Sequence, residues 1–238
     1  MTLPRRVEPE WLDELPADDP RAVRSRRDLK LVNALMLQGA IMARCLAKLH
    51  GSAPPRTLID LGGGDGTFIL SVARWLAPRW PDVAVTVLDR QDIVSDETRA
   101  KFRALGWRIE TAPADVFAFL ERADPSGVDV ITANLFLHHF QGDQLGRLLR
   151  LAARSTRAFV ACEPRRSSVA LYGSKMLWAL GCNDVTRHDA VVSVCAGFNG
   201  QELSGLWPTQ EPWTLRESGA WLFTHLFTAL RAIDRHAP

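Results

Sequence analysis

The clearest chemical signal in the sequence is a glycine-rich segment, Asp60-Leu61-Gly62-Gly63-Gly64-Asp65-Gly66. It follows a short apolar run at 57–61 and precedes a helical pattern that begins at Thr67. Glycines between a strand and a helix allow a tight turn and let a ligand approach the backbone, while the helix presents free N–H groups. We therefore expect this segment to bind a ligand rather than to form only a tight turn.

The spacing of the glycines indicates which ligand this segment binds. A dinucleotide site requires G-x-G-x-x-G, whereas Gly62, Gly64 and Gly66 give G-x-G-x-G. Asp60 precedes the first glycine by two residues, where a carboxylate would repel pyrophosphate but can hold the ammonium group of an amino acid. This pattern matches the methionyl end of S-adenosylmethionine (SAM).

Two further acidic residues follow the next two predicted strands. Asp89 can accept hydrogen bonds from ribose hydroxyls, or it can cap a helix or turn. Asp115 can meet an adenine amino group, with Val116 and Phe117 against the ring, or it can cap the helix that it precedes.

The chain resembles the class I SAM-dependent methyltransferases over about residues 56–231. The resemblance rests on the order of the glycine loop, the two acidic residues, five predicted parallel strands and a closing hairpin. The segment 134–140, Asn-Leu-Phe-Leu-His-His-Phe, is similar to the L-H-H-[FL] motif of small-molecule members. The resemblance implies that SAM is the cofactor and S-adenosylhomocysteine (SAH) the product. The cofactor-binding residues that it implies are Asp60, Gly62, Gly64, Gly66, Asp89, Asp115, Val116 and Asn134.

Methyl transfer is an in-line displacement, so the acceptor must be aligned and, for a phenol or an acid, must lose or share a proton. The candidate catalytic residues are His138, His139, His188 and Asp189. His138 resembles the catalytic histidine of plant-type phenolic O-methyltransferases, which lies in L-H-[DN]-W, although His139 and Phe140 differ from that motif. We do not expect the large N-terminal dimerisation domain of those enzymes here. The alternative is a histidine that only shapes its loop.

The acceptor that we expect is a small aromatic or polyketide-like molecule of secondary metabolism, methylated at oxygen. The apolar helix predicted at 167–180 either lines its pocket or packs in the core. Glu163 either binds the substrate or pairs with Arg165 or Arg166, and we favour the ion pair.

Strand-like and helix-like stretches alternate after residue 56, which predicts an α/β fold: a Rossmann-like, seven-stranded, mostly parallel sheet with an antiparallel C-terminal hairpin and helices on both faces. We expect residues 1–55 to form an N-terminal helical arm or lid and residues 56–238 to form the SAM-binding domain. Within the arm, we expect an extended chain with a short helical turn up to residue 27 and a helix over 28–50. Residues 182–198 show a mixed pattern, 200–206 a short helix, and 213–217 and 221–230 two strands around Ser218-Gly219.

Composition excludes several other functions. The net charge of +2, with dispersed arginines, is not typical of a nucleic-acid-binding protein. The four cysteines form no C-x-x-C pair, so we expect no metal site and a reduced, cytoplasmic setting. We expect neither a signal peptide nor a membrane span, and a homodimer is possible. The alternatives left open are a non-catalytic methyltransferase-fold partner, a SAM-sensing protein and a nucleotide-dependent oxidoreductase.

Overall fold

The apolar runs form one sheet in the computed structural model, which describes residues 3–16, 18–51, 54–209 and 212–232. The seven strands of this sheet lie in the spatial order β3-β2-β1-β4-β5-β7-β6, in which β1 to β5 are parallel and β7 runs antiparallel to both β5 and β6. The predicted fold class is therefore confirmed. The strand bounds are β1 (Thr57–Leu61), β2 (Ala84–Asp89), β3 (Arg108–Pro113), β4 (Val128–Asn134), β5 (Thr156–Pro164), β6 (Trp213–Ala220) and β7 (Thr224–Arg231).

Helices cover both faces of the sheet because strands β1, β4 and β5 are apolar on both sides. One buried cluster includes Met42, Phe102 and Trp107, and a second, on the other face, includes Leu149 and Phe159. The described α-helices are α1 (Trp11–Glu14), α2 (Pro20–Leu35), α3 (Gln38–His50), α4 (Thr67–Leu76), α5 (Asp96–Ala104), α6 (Val116–Arg122), α7 (Gly142–Ser155), α8 (Ser168–Lys175) and α9 (Asp184–Ala196).

The N-terminal helices differ from the prediction of one helix over 28–50. Helix α2 begins already at Pro20, because the Asp19 side chain accepts a hydrogen bond from the backbone N–H of Arg21 at 2.7 Å. The chain then breaks at Leu37, whose φ of 55° lies in the left-handed region, before α3 begins. No single described helix is long and apolar enough to cross a membrane, and the α2–α3 pair has the required length and composition only across a bend of 56°.

Three predictions for the C-terminal part were wrong. The mixed stretch at 182–198 contains helix α9, whose N-terminus is capped by the Asn183 side chain, and the helix predicted at 200–206 is a series of turns. The hairpin turns at 221–223, not at Ser218-Gly219. Gly219 instead lies inside β6, where a Cβ atom would come within 3.0 Å of the Arg165 guanidinium carbon.

The predicted apolar helix at 167–180 neither lines the cavity described below nor fills the core. Helix α8 ends at Lys175, and a 3-10 turn follows at Leu177–Leu180. Its large apolar side chains are mostly exposed, with Tyr172 at 70% and Trp178 at 60%.

The interior of the sheet predicts a stability difference between two tryptophans. The indole N–H of Trp107 donates to the carbonyl of Trp80 at 2.7 Å inside the core, whereas Trp75 is 58% exposed. Trp107→Phe leaves that buried carbonyl without its donor, so we expect a loss of about 1–3 kcal/mol in the free energy of unfolding. Urea denaturation of this variant and of the control Trp75→Phe, which should change little, checks the prediction. Equal losses in the two variants would contradict it.

Candidate active site

A cavity of about 460 Å³ lies at the carboxyl ends of β1, β2 and β4 and is roofed by α1 and α2. This is the edge of the sheet where open α/β folds bind their ligands. Its wall contains, among others, Glu10, Asp13, Lys30, Asp60, Gly62, Gly64, Asp89, Asp115, Val116, Asn134, Phe136, His138, His139, Phe140 and Ser193.

The glycine loop follows β1 and approaches the cavity with its backbone. The Gly64 N–H donates to Asp89 Oδ2 at 3.0 Å, and a Cβ atom at Gly64 would meet no described heavy atom within 4 Å. At Gly62 a side chain is excluded by packing, because a Cβ atom there would lie 2.2 Å from the Phe136 ring. Gly66 does not line the cavity but begins α4 with a φ of 72°.

Asp60 is a buried carboxylate on the cavity wall. Its Oδ1 atom accepts a hydrogen bond from the Thr132 hydroxyl at 2.7 Å. Burial raises the pKa of Asp60 to about 7, the Thr132 hydrogen bond opposes this shift, and the nearby charge of Asp89 adds to it. A cationic group in the cavity would therefore find an uncompensated acid beside the glycine loop.

The other predicted cofactor residues also face this cavity, with one exception. Asp89 accepts the backbone N–H groups of Gly64 and Gln91, and Asp115 caps α6 by accepting from Phe117 and Ala118. Both side chains therefore make the capping contacts that the alternative interpretation predicted. Asn134 lines the cavity with a buried Oδ1 atom that has no hydrogen-bond partner among the described residues. Phe117, which was expected against the adenine ring, lies behind the wall and packs on Phe140.

His138 lies in a 3-10 turn after β4 and is held between two carboxylates. Its Nδ1 atom lies 2.8 Å from Glu163 Oε2, and its Nε2 atom lies 3.2 Å from Glu10 Oε1. Burial alone would lower the pKa of His138, but the hydrogen bonds and charges of Glu10 and Glu163 outweigh it and raise the pKa to about 9. The ring is thus fixed in orientation and strongly basic.

Glu163 has a role that the sequence analysis did not favour. Its Oε1 atom accepts the backbone N–H groups of Phe136 and Leu137 at 3.1 and 2.8 Å, and its Oε2 atom contacts His138. The predicted ion pair with Arg165 or Arg166 is wrong, because Arg166 pairs with Glu202 instead.

The carboxylates that contact the two histidines from the other side come from the N-terminal segment, which the sequence analysis missed. Glu10 accepts a hydrogen bond from the Ser193 hydroxyl; burial would raise its pKa, but the hydrogen bond and charge of His138 lower it to about 2. Asp13 Oδ2 lies 3.4 Å from His139 Nδ1. Residues 10 and 138 are far apart in sequence, so no local pattern could have revealed this contact.

His188 and Asp189 do not line the cavity but fasten the N-terminal segment. The Asp189 carboxylate accepts the backbone N–H groups of Trp11 and Leu12 at 2.9 and 3.0 Å. The His188 ring stacks on Trp11 at 3.8 Å, and its Nδ1 atom lies 2.9 Å from Asp189. Their positions support a structural role under α1.

Comparisons with known proteins agree with this geometry. The family described as "Methyltransferase domain" matches residues 58–158, which run from β1 into β5. No curated protein sequence matches the chain.

Solved structures of low sequence identity share the fold. An O-methyltransferase family protein from Burkholderia thailandensis is 21% identical with a TM-score of 0.59, covering 92% of this chain and 62% of that protein. Mitomycin 7-O-methyltransferase is 20% identical with a TM-score of 0.60, covering 93% of this chain and 60% of that one. A plantazolicin methyltransferase, solved with a monoazolic desmethylPZN analog and SAH, is 13% identical with a TM-score of 0.59, covering 90% and 91%. The chain therefore spans about three fifths of the first two structures.

Two glycine variants can separate the loss of ligand binding from the cost of backbone strain. Gly64 and Gly106 have φ angles of 54° and 74°, and a Cβ atom at either would meet no described heavy atom within 4 Å. An alanine at either position should thus cost a similar ~1–2 kcal/mol of stability. Only Gly64 lines the cavity, so Gly64→Ala should weaken SAH binding by about tenfold or more, measured by calorimetry, whereas Gly106→Ala should not. Equal SAH affinities of the two variants would refute a role for this loop.

Proposed function

We propose that the chain transfers a methyl group from SAM to an oxygen atom of a small aromatic acceptor of secondary metabolism, since it shares the fold of solved methyltransferases and residues 58–158 match the methyltransferase domain family. The observation that carries the proposal is the His138–Glu163 pair on the wall of the cavity that the glycine loop borders. The names of two neighbours, an O-methyltransferase family protein and mitomycin 7-O-methyltransferase, support transfer to oxygen.

The residues around the glycine loop fit SAM. The buried, partly uncompensated Asp60 suits the cofactor's ammonium group, and Asp89, at the end of β2, suits its ribose hydroxyls. The Asp115 carboxylate, the Val116 side chain and the orphaned Asn134 oxygen also line the cavity and complete the polar and apolar contacts that such a ligand needs. When bound, SAM supplies the electrophilic methyl group on its sulfonium.

The acceptor half of the cavity suits an aromatic hydroxyl compound. Phe136 and Phe140 line it and meet edge to face, with centroids 5.2 Å apart, so they offer a flat ring an apolar wall. With Nδ1 bonded to Glu163, neutral His138 presents its Nε2 lone pair toward Glu10. Glu10 Oε1 lies 3.2 Å from Nε2, so the Glu10 carboxylate has to move aside before an acceptor hydroxyl reaches this nitrogen. The hydroxyl then gives its proton to Nε2 as its oxygen attacks the methyl group, and Glu163 stabilises the resulting imidazolium.

The N-terminal residues act as a lid over this site. Arg5 donates to the carbonyl oxygens of Ala196 and Phe140, both at 2.8 Å, and Asp189 holds α1 as described. Lys30 of α2 pairs with Asp65 of the glycine loop at 2.8 Å. Such a lid excludes water, which would otherwise screen the charges of the site.

The raised pKa of Asp60 predicts that cofactor binding depends on pH. Below its pKa of about 7 the carboxyl group is protonated and cannot pair with an ammonium group, so SAH should bind roughly tenfold more weakly at pH 6 than at pH 8. Burial is the main cause of this shift; the Thr132 hydrogen bond opposes it, and the charge of Asp89 adds to it. Calorimetry at several pH values checks it, with Asp60→Asn as the control: this variant should bind SAH weakly and with little dependence on pH. A flat wild-type profile would contradict the role of Asp60.

The raised pKa of His138 predicts that activity increases in alkaline solution. A base with a pKa of about 9 is protonated and inactive at neutral pH, so kcat/KM, which reports the free enzyme, should rise until about pH 9. His138→Gln should lower kcat by about 10²–10⁴-fold while SAH affinity stays the same. Single-turnover methyl transfer to phenols measures both. Wild-type rates and pH profile in His138→Gln would remove the histidine from the mechanism.

A control variant separates the base from the shape of its loop. The groups that face His138 are Glu163 from β5, Glu10 from the N-terminal segment and the neighbouring His139. Glu10→Gln removes one negative charge, so the kcat/KM profile should shift to lower pH. Glu8→Gln, at an exposed position of the same segment, should leave the profile unchanged.

A further inference from the structure

A second histidine–carboxylate pair lies beside the first on the cavity wall. His139 Nδ1 lies 3.4 Å from Asp13 Oδ2, and both residues line the cavity. The rings of His138 and His139 have centroids 4.3 Å apart and planes tilted by 31°. The site therefore has two imidazoles, each paired with a carboxylate, where the proposed mechanism uses only one.

The second imidazole is arranged to accept a hydrogen bond. Burial is the main cause that lowers the pKa of His139; the charge of His138 adds to this, the carboxylates of Glu10 and Asp13 oppose it, and the neutral ring is favoured. The tautomer that carries its proton on Nδ1, the nitrogen nearer Asp13, leaves the lone pair on Nε2. Within the described ranges, this Nε2 atom has no hydrogen-bond partner, and the side chain keeps 25% of its surface exposed.

We propose that the acceptor is an aromatic ring with a second hydroxyl ortho or meta to the one that is methylated, and that His139, held by Asp13, accepts a hydrogen bond from this second hydroxyl. The inference rests on the proposed function and specifies its substrate class. His139 is then a specificity-determining residue, whereas His138 takes the proton.

The spacing of the two imidazoles carries the positional part of the proposal. Their ring centroids are 4.3 Å apart, and one nitrogen atom of each ring and one carboxylate oxygen of Glu10 all lie within 4.8 Å of one another. Hydroxyls on adjacent or alternate carbons of one ring have separations of this order, whereas two para hydroxyls point in opposite directions. A methoxy group has no proton to donate to His139 Nε2.

The test compares four single-ring acceptors with the full-length chain and SAM. The second hydroxyl is ortho to the first in catechol, meta in resorcinol and para in hydroquinone, and phenol has no second hydroxyl. At least one of catechol and resorcinol should exceed phenol in kcat/KM by roughly 2- to 10-fold, the net effect of one hydrogen bond between uncharged groups. Hydroquinone should behave like phenol. Equal values for all four acceptors, or a hydroquinone value as high as those of its isomers, would overturn the inference but leave methyl transfer to oxygen standing.

Variants then assign the preference to the second pair. His139→Phe keeps a flat ring but removes both nitrogen atoms, so the ratio of the preferred diol to phenol should fall toward one. Asp13→Asn should reduce the ratio less, because the histidine remains. Glu14→Gln is the matched control, since Glu14 lies in the same helical turn as Asp13 but does not line the cavity. A wild-type ratio in a folded His139→Phe protein would refute the assignment.

Two further measurements keep this result separate from other causes. Calorimetric binding of the preferred diol to the SAH complex needs no turnover, so a weaker affinity in His139→Phe supports the inference even where methyl transfer is absent, and an unchanged affinity counts against it.

A divalent cation held by Glu10, His138 and His139, whose ligand atoms lie within 4.8 Å of one another, would also favour a diol. The preference should therefore persist after EDTA treatment; its loss in EDTA, with recovery on adding Mg²⁺ or Zn²⁺, would assign it to a metal.

Discussion

The candidate active site depends on one fully buried carboxylate, that of Glu163 at the end of β5. It satisfies backbone N–H groups in the turn after β4 and at the same time fixes the ring of His138. A buried carboxylate is stable only where hydrogen-bond donors surround it. The need of Glu163 for donors therefore fixes both the backbone of the turn and the ring of His138. Because β4 and β5 are neighbouring parallel strands, the sheet itself brings Glu163 to this turn.

The rest of the site is built around that fixed point from two directions. Strands β1 and β2 provide the glycine loop and the acids beside it, and these contacts are local in sequence. The N-terminal segment provides Glu10 and Asp13, and its own position depends on Asp189, far along the chain in α9. The half of the cavity beside the glycine loop is thus formed by the ends of the strands, whereas the half beside His138 and His139 is completed by the N-terminal segment.

This division explains how much could be predicted from the sequence. The strands and the glycine loop were predicted closely, because apolar runs and glycine spacing are local signals. Helix α2 was predicted only in its second half, since Ala22 and Ser25 are its only buried positions among the described residues and its first turns are rich in arginine. Helix α9 was missed for a related reason: it packs against α1, α2 and α8 as well as the sheet, so its apolar residues do not form one stripe.

The histidines were found, but their partners were not. A motif names residues in one stretch of chain, whereas the charge on His138 is set by groups contributed by β5 and by the N-terminal segment. His188 and Asp189 look equally reactive in sequence, yet backbone N–H groups of α1 occupy the Asp189 carboxylate. Only the folded chain distinguishes a histidine that faces a cavity from one that stacks on a tryptophan.

The placement of Glu10 and Asp13 also separates the residues that line part of the cavity from the residues that form the core of the sheet. Among the described residues before α3, side chains contribute to the cavity wall, but none belongs to a strand of the sheet or to either central core cluster. Substitutions at Glu10 and Asp13 change the charge of the cavity wall beside the two histidines without removing a side chain from either core cluster. The charge of that wall can therefore vary among related sequences with less effect on the packing of the sheet than substitutions in the strands would have.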